Sequence, residues 1–408
     1  MRSHRIARRD LPWTTASVAA LCGPFDMPSR EALLRAVQLL TERYPHCRIG
    51  WGWDDARRRW TPAQRDSASE AVVVDGDGLV SALTIGETLD RIDRDTSLRT
   101  PLALVRFDRY LGLRMSHAIG DGRTFNEVFA SVLQTALTDK PYPWQIGPAV
   151  RFPLGSAVAR TFGRDPALLR ATLADRPHRP TLPPGTPAAW TPARRTLVAV
   201  VPADAKRAAM HAAPGASWIA VHMSLLLRAL DSAGVPVAQD VSVVVDLRRY
   251  LSDDSLDGNF VTGVPFNVDH RHRPEAITAM MRATLRSARP VATQALATMA
   301  SVRPYRAAPA SSDPTRPVRV TFSSVGQPPQ IDALPFLPGE PPIYAGGVEP
   351  DGPHGLTFLV SETSRASVVS ASFHDNVVSA DAVQEALTTF GRQVHGHVSH
   401  QAVTPWSG

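Results

Sequence analysis

Eleven prolines fall between Pro141 and Pro192 of a 408-residue chain. Each proline fixes φ and removes a backbone donor, so neither a long helix nor a central strand can cross that stretch. One short helix fits inside it, over 166–174. A single core stops growing near ~250–300 residues, and this chain is longer than that. The proline-rich stretch is therefore expected to separate a pair of bodies, 1–165 and 196–408, with 166–195 as the linker.

Strands and helices alternate on both sides of it. The small apolar residues of 16–22 read as a buried strand. Ser29 is placed to cap a helix that runs to Arg43, with Leu33, Leu34, Val37 and Leu40 at helical spacing and Pro45 as its stop. Strands are expected over 46–53 and 71–75, with the polar stretch 54–69 as a hairpin loop between them. Residues 102–107 and 111–115 read as neighbouring strands joined by a turn at Asp108 and Arg109. From Gly122 to Leu137 the period is helical again, with Phe125, Val128, Phe129 and Val132 on one side. After the linker, strands are expected over 196–201, 241–247, 258–268, 318–323, 356–360 and 367–373. Helices are expected over 217–230, 274–288, 291–302 and 380–394. The run 241–247 looks apolar enough for a sheet covered on both faces. Mixed strands and helices in each half make the fold class α/β, with mixed sheets.

Composition excludes several classes of function. Hydrophobic residues make up 43% and charged residues 20%, which rules out wholesale disorder. No apolar run approaches the ~18–20 residues of a membrane span. Residues 1–9 are basic but lack an apolar stretch behind them, so they are not expected to be a secretory signal. Cys22 and Cys47 are the two cysteines, too few for a disulfide framework or a CxxC metal site, and a reducing cytoplasm is the expected location. The net charge is +6, from 44 basic and 38 acidic residues. Lys140 and Lys206 are the two lysines, and the excess of Arg, Ala and Pro fits a GC-rich bacterial coding bias. A positive surface favours anionic partners such as a CoA phosphate or an acidic carrier protein. The arginines are dispersed, and neither a zinc finger nor an RNP motif accompanies them, which argues against nucleic acid.

The segment Met115-Ser116-His117-Ala118-Ile119-Gly120-Asp121-Gly122 carries the most chemistry. A strand is expected to end at His117, a tight glycine-containing turn to follow, and a helix to begin near Gly122. A histidine at a strand end projects beyond the sheet edge, and its pKa near ~6.5 lets it take and return a proton at neutral pH. Asp121 is placed to cap the following helix or to pair with an arginine, and so to shape the loop rather than orient the imidazole directly. Gly120 and Gly122 permit the turn and a close approach to the backbone. A lone histidine is more often structural than catalytic. A metal on His117 and Asp121 lacks a third ligand nearby, so no metal is expected.

These residues also resemble a known group. Ser116-His117-Ala118-Ile119-Gly120-Asp121-Gly122 is similar to the HHxxxDG motif of the chloramphenicol acetyltransferase-like superfamily. That group includes peptide condensation domains, BAHD acyltransferases, polyketide-associated acyltransferases, and wax ester or diacylglycerol synthases. Three further segments resemble it in the same order: Arg43-Tyr44-Pro45-His46-Cys47-Arg48, then Asp246-Leu247-Arg248-Arg249-Tyr250 with Gly258-Asn259-Phe260, then Val320 to Gly326. The first histidine of the motif is Ser116 here, and an asparagine of the last segment is Ser324. The BAHD DFGWG motif is absent.

The resemblance implies two similar α/β halves in a V, with an active-site tunnel between them. It implies a thioester-dependent acyltransferase with His117 as the general base, moving an acyl group to a hydroxyl in natural-product or lipid biosynthesis. Amide formation on an amine acceptor is the alternative, and so is a non-catalytic module that recruits a carrier protein. Asp121, Gly122, Arg48 and Arg248 are expected to support the catalytic loop, with either arginine as a partner for Asp121. Ser116, Ser323, Ser324 and Asn259 are candidates for oxyanion or substrate contacts, although strand serines often do no more than hydrogen-bond locally. No tightly bound cofactor is expected. The donor would be acyl-CoA or an acyl carrier protein acting in trans, the acceptor a small molecule, and a monomer would suffice.

Overall fold

Every residue from Val18 to Gly23 is buried, in a strand made mostly of small side chains with Val18 and Leu21 among them. That strand lies second in a five-stranded sheet. In order, the sheet contains Ile343–Val348, Ser17–Gly23, Leu111–Ser116, Leu102–Arg106 and Val73–Asp75. The first three pairings are antiparallel and the last is parallel. The computed structural model from which this architecture is taken describes residues 4–7, 10–14, 16–54, 59–61, 72–76, 80, 84–95, 98, 100–147, 152–163, 165–174, 188–252, 256–300, 311–313 and 315–401.

Packing divides the chain into two compact units. The first gathers Met1–Pro153, Leu251–Val261 and Val325–Glu349. Its two main helices, Arg30–Arg43 and Gly122–Thr138, share one core, with Leu33, Val37 and Leu40 of the former and Val128, Phe129 and Val132 of the latter. Ser29 caps the first of these helices through the Ala32 N–H, as its place before the apolar period predicts.

The second unit gathers Leu154–Tyr250, Thr262–Ser324 and Pro350–Gly408. Its six-stranded sheet runs Val261–Asn267, Asp240–Asp246, Arg319–Gly326, Gly355–Glu362, Ala366–His374, Arg194–Pro202. Asp240–Asp246 and Arg319–Gly326 pair in parallel, while Ala366–His374 pairs antiparallel with the strands on either side of it. The apolar helices Trp218–Ser232 and Ala380–Gln401 bury Leu226, Leu230, Leu387 and Phe390 in the same core as these strands. Each unit is thus a mixed α/β layer structure, the class the alternation predicted.

Several boundaries differ from expectation, each for a physical reason. The chain first crosses between units at 153–154, not inside 166–195, and two later segments return to the first unit. The helix over 166–174 forms, and Thr172 donates to the Ser287 carbonyl, which ties it into the second unit. Another helix, Pro153–Phe162, precedes it. Residues 46–51 turn rather than extend: Cys47 N–H reaches the Tyr44 carbonyl and Trp51 N–H the Arg48 carbonyl. Arg48 there has φ 56°, in the left-handed region, and the strand begins only at Gly52. Burial alternates along Asp240–Asp246, so one face of that strand is packed more deeply than the other.

Several elements escaped the periodicity, among them the short strand Arg59–Thr61, which lies inside the expected loop 54–69 and pairs with Gly52–Asp54, and the four that follow. Helix Ala203–Ala212 buries alanines, which give a weak apolar signal. Helix Ile85–Arg94 is short, and its N-terminal Thr84 makes no side-chain cap. Helix Pro153–Phe162 lies among the prolines, where a second helix was not expected. Strand Ile343–Val348 contains Gly346 and Gly347, which read as loop until Ser17–Gly23 is there to pair with them. Most of 54–69, the linker residues 175–187, and Val302 at the end of an expected helix lie outside the described residues. Among the described residues, no helix is long and apolar enough to cross a membrane.

Candidate functional site

Strand Leu111–Ser116 ends one residue before His117, and helix Gly122–Thr138 starts five residues after it. The intervening turn is held at both ends. The His117 N–H donates to the Ala16 carbonyl at 2.9 Å, and the Ile119 N–H to the Ser116 carbonyl at 3.0 Å. Ser116 Oγ accepts from the Ala118 N–H at 3.3 Å, so this hydroxyl serves the turn.

Asp121 is the N-cap of the helix. One carboxylate oxygen accepts from the Arg123 N–H at 3.2 Å, satisfying one of the donors a helix start leaves unpaired. The other accepts from the Phe260 N–H at 3.0 Å. Asp121 thereby ties the turn to the segment Gly258-Asn259-Phe260, which lies far away in sequence.

Both glycines are required for space. A Cβ on Gly120 would overlap the Thr124 hydroxyl, and one on Gly122 would lie 2.5 Å from Val325 Cγ1. Neither has a positive φ, so close packing explains them better than backbone freedom.

His117 meets that distant segment directly. Its Nδ1 lies 2.8 Å from Asn259 Oδ1, while Asn259 Nδ2 donates back to the His117 carbonyl. Asp10 Oδ1 lies 3.5 Å from the same Nδ2. The Trp13 ring stacks on the imidazole, with centroids 4.5 Å apart and planes at 26°. Burial pushes the His117 pKa down. Its own backbone, the Asp121 charge, the Asn259 hydrogen bond and the Gly120 backbone oppose that shift to some degree. The imidazole is therefore neutral at pH 7, and the residue keeps partial exposure.

Each of the two candidate arginines has a carboxylate partner. Arg48 is buried and pairs with Asp257 at 3.0 Å, donates to the Ile119 carbonyl at 3.2 Å and lies over the Trp60 ring. The carboxylate it meets is Asp257, two residues before Asn259, and not Asp121. Arg48 still braces the turn that carries His117, through Ile119. In the second unit, Arg248 is buried and meets Asp246 Oδ1 with both its backbone N–H and its guanidinium. Ser323 is half-buried and Ser324 exposed, near the end of strand Arg319–Gly326 in that unit.

Sequence reasoning missed Trp13, Asp10 and Asp257. No local pattern points from any of them to His117, because the fold brings them there from 100 or more positions away. Among the described residues, no group of three or more His, Cys, Asp or Glu side chains is placed to hold a metal ion. Cys22 and Cys47 are buried, and burial pushes both thiols up, that of Cys47 to about 12.

No family model matches the chain, and no curated protein sequence does. Solved structures do. The chain is similar to the first condensation domain of the calcium-dependent antibiotic synthetase, solved with a substrate analogue. The identity is 18% and the TM-score 0.60, over 99% of this chain and 98% of that one. It is similar to trichothecene 15-O-acetyltransferase TRI3 from Fusarium sporotrichioides at 14% identity and TM-score 0.56, over 97% and 95% of the two chains. Polyketide synthase associated protein 5 from Mycobacterium tuberculosis matches at 14% identity and TM-score 0.56, over 96% and 98%. At such identities the likeness is one of fold, and it runs the whole length of the chain. The chain therefore shares its fold with these condensation-domain and acetyltransferase structures.

Proposed function

We propose that this protein is an acyltransferase that moves an acyl group from a CoA or carrier-protein thioester to a hydroxyl acceptor, with His117 as general base. One observation carries the reading: a neutral, partly exposed histidine sits at a strand end, on a turn fixed by Asp121 and hydrogen-bonded to Asn259.

The chemistry follows from that placement. A hydroxyl at pH 7 is a poor nucleophile, and His117 takes its proton as the oxygen attacks the thioester carbonyl. A C–O bond forms, and the carbonyl becomes a tetrahedral oxyanion. Gly122 N–H, in the first turn of its helix, is our candidate donor to that oxyanion. The intermediate collapses, the C–S bond breaks, and the imidazolium returns the proton to the departing thiolate. The products are an ester and a free thiol. The donor supplies the driving force, so no metal or redox group enters the balance. Asp121, Arg48 and Asn259 hold the turn. Ser323 and Ser324 are kept as substrate-contact candidates on the motif resemblance alone.

The test is to offer the purified protein a panel of acyl-CoAs and acyl carrier proteins with hydroxyl and amine acceptors, and to follow both partners by intact mass. Paired appearance of ester and free thiol is expected. Products with amines alone would move the assignment to amide formation. Consumption of no donor, together with binding of a carrier protein, would replace the enzyme reading with recruitment.

A further inference from the structure

We infer that Asn259 is a positioning residue that holds His117 as the Nδ1–H tautomer, leaving Nε2 as the basic nitrogen. The inference deepens the acyl-transfer reading by naming the atom that accepts the proton and the group that selects it.

Asn259 is buried, and its amide faces three groups. The His117 carbonyl and the Asp10 carboxylate lie on the Nδ2 side, and His117 Nδ1 lies on the Oδ1 side. A carbonyl and a carboxylate only accept hydrogen bonds, so the amide nitrogen must face them. Flipping the amide would set its oxygen against two other oxygens. Its orientation is therefore dictated by its neighbours. With Oδ1 then facing Nδ1 at 2.8 Å, Nδ1 has to carry the proton. A neutral imidazole has one N–H, so Nε2 keeps its lone pair.

Two further contacts fix the ring. Trp13 covers one face of it. The N–H of Phe260, next to Asn259, is anchored on Asp121, which joins the turn bearing His117 to the segment bearing Asn259. The N-terminal residues Asp10 and Trp13 thus belong to this arrangement. They lie on and beside a short 3-10 turn, Leu11–Trp13, whose Trp13 N–H bonds back to the Asp10 carbonyl.

The experiment is nitrogen NMR of protein labelled with ¹⁵N-histidine at neutral pH. His117→Ala identifies the His117 signals among the 13 histidines. The wild type is expected to show His117 protonated at Nδ1 and bare at Nε2. Asn259→Ala is expected to move His117 toward the Nε2–H form and to lower kcat by about 10²-fold with KM little changed. A wild type protonated at Nε2 overturns the inference without any variant, even if Asn259→Ala fails to fold. So does an Asn259→Ala protein that folds and keeps Nδ1–H. If the tautomer behaves as inferred but wild type transfers no acyl group, the acyl-transfer reading fails while the positioning role of Asn259 stands.

Discussion

His117, half-buried, and His222, fully buried, both have depressed pKa values, yet they have opposite surroundings. His117 has a hydrogen-bonding partner on Nδ1 and partial exposure, which suits a group that exchanges protons. His222 is fully buried between Trp218 and Phe390, gives its Nδ1–H to the Trp218 carbonyl, and is pushed down to about 3, chiefly by burial. For His117, the depressed pKa places the acid limb of a kcat/KM profile below ~6.5, the ordinary histidine value. An acid limb above that value would contradict the burial argument. For His222, the sign concerns stability. The unfolded chain binds a proton near ~6.5 and the folded one resists it, so stability falls as pH drops below ~6.5 and continues to fall toward 3. Over two pH units the loss is about 2–3 kcal/mol. Urea unfolding of wild type and His222→Phe at pH 7.5 and pH 4.5 measures it, and the variant is expected to lose less.

The turn from strand Leu111–Ser116 into helix Gly122–Thr138 is the element on which the site depends. Asp121→Ala removes the helix cap, worth about 1 kcal/mol, and leaves the buried Phe260 N–H without its acceptor, worth about 1–3 kcal/mol more. Activity should fall with it, since the same carboxylate joins the turn to the Asn259 segment. An Asp121→Ala protein as stable and as active as wild type would remove Asp121 from the account. Arg48→Ala takes the guanidinium away from the buried Asp257 carboxylate and is expected to cost about 3–5 kcal/mol in urea unfolding. Behind the turn, the same helix orders the start of the proline-rich stretch. Glu127 accepts from the Gln145 N–H, and Thr135 accepts from the Tyr142 N–H at 3.0 Å. Residues near 141–146 therefore form a brace on the first unit.

At the scale of the molecule, the sequence conveyed composition of elements better than their assembly. His117, Gly120, Asp121 and Gly122 stand within six positions, so their strand-turn-helix context was legible from local spacing. Asn259 was legible only within a motif resemblance, with no indication that it binds the imidazole. Arg48 was expected at the site, but its partner could not be read, because Asp257 arrives from a segment more than 200 positions away. The single boundary expected in 166–195 reflects the prolines, whereas packing follows strand pairing. Ile343–Val348 returns to pair residue by residue with Gly23–Val18, and 251–261 returns to meet His117, Arg48 and Asp121. A fragment of residues 1–165 therefore lacks an edge strand and the partners of three site residues. It is expected to show no cooperative urea transition, and a cooperative one would mean those returning segments are dispensable.

If a single imidazole carries the proton during acyl transfer, its removal must abolish the chemistry without unfolding the protein. Wild type and His117→Ala are to be compared on the productive donor and acceptor in single turnover, with free thiol and ester followed by mass. A loss of at least about 10²-fold in the transfer rate is expected, with the unfolding midpoint retained. Transfer at the wild-type rate by a folded His117→Ala protein would contradict it.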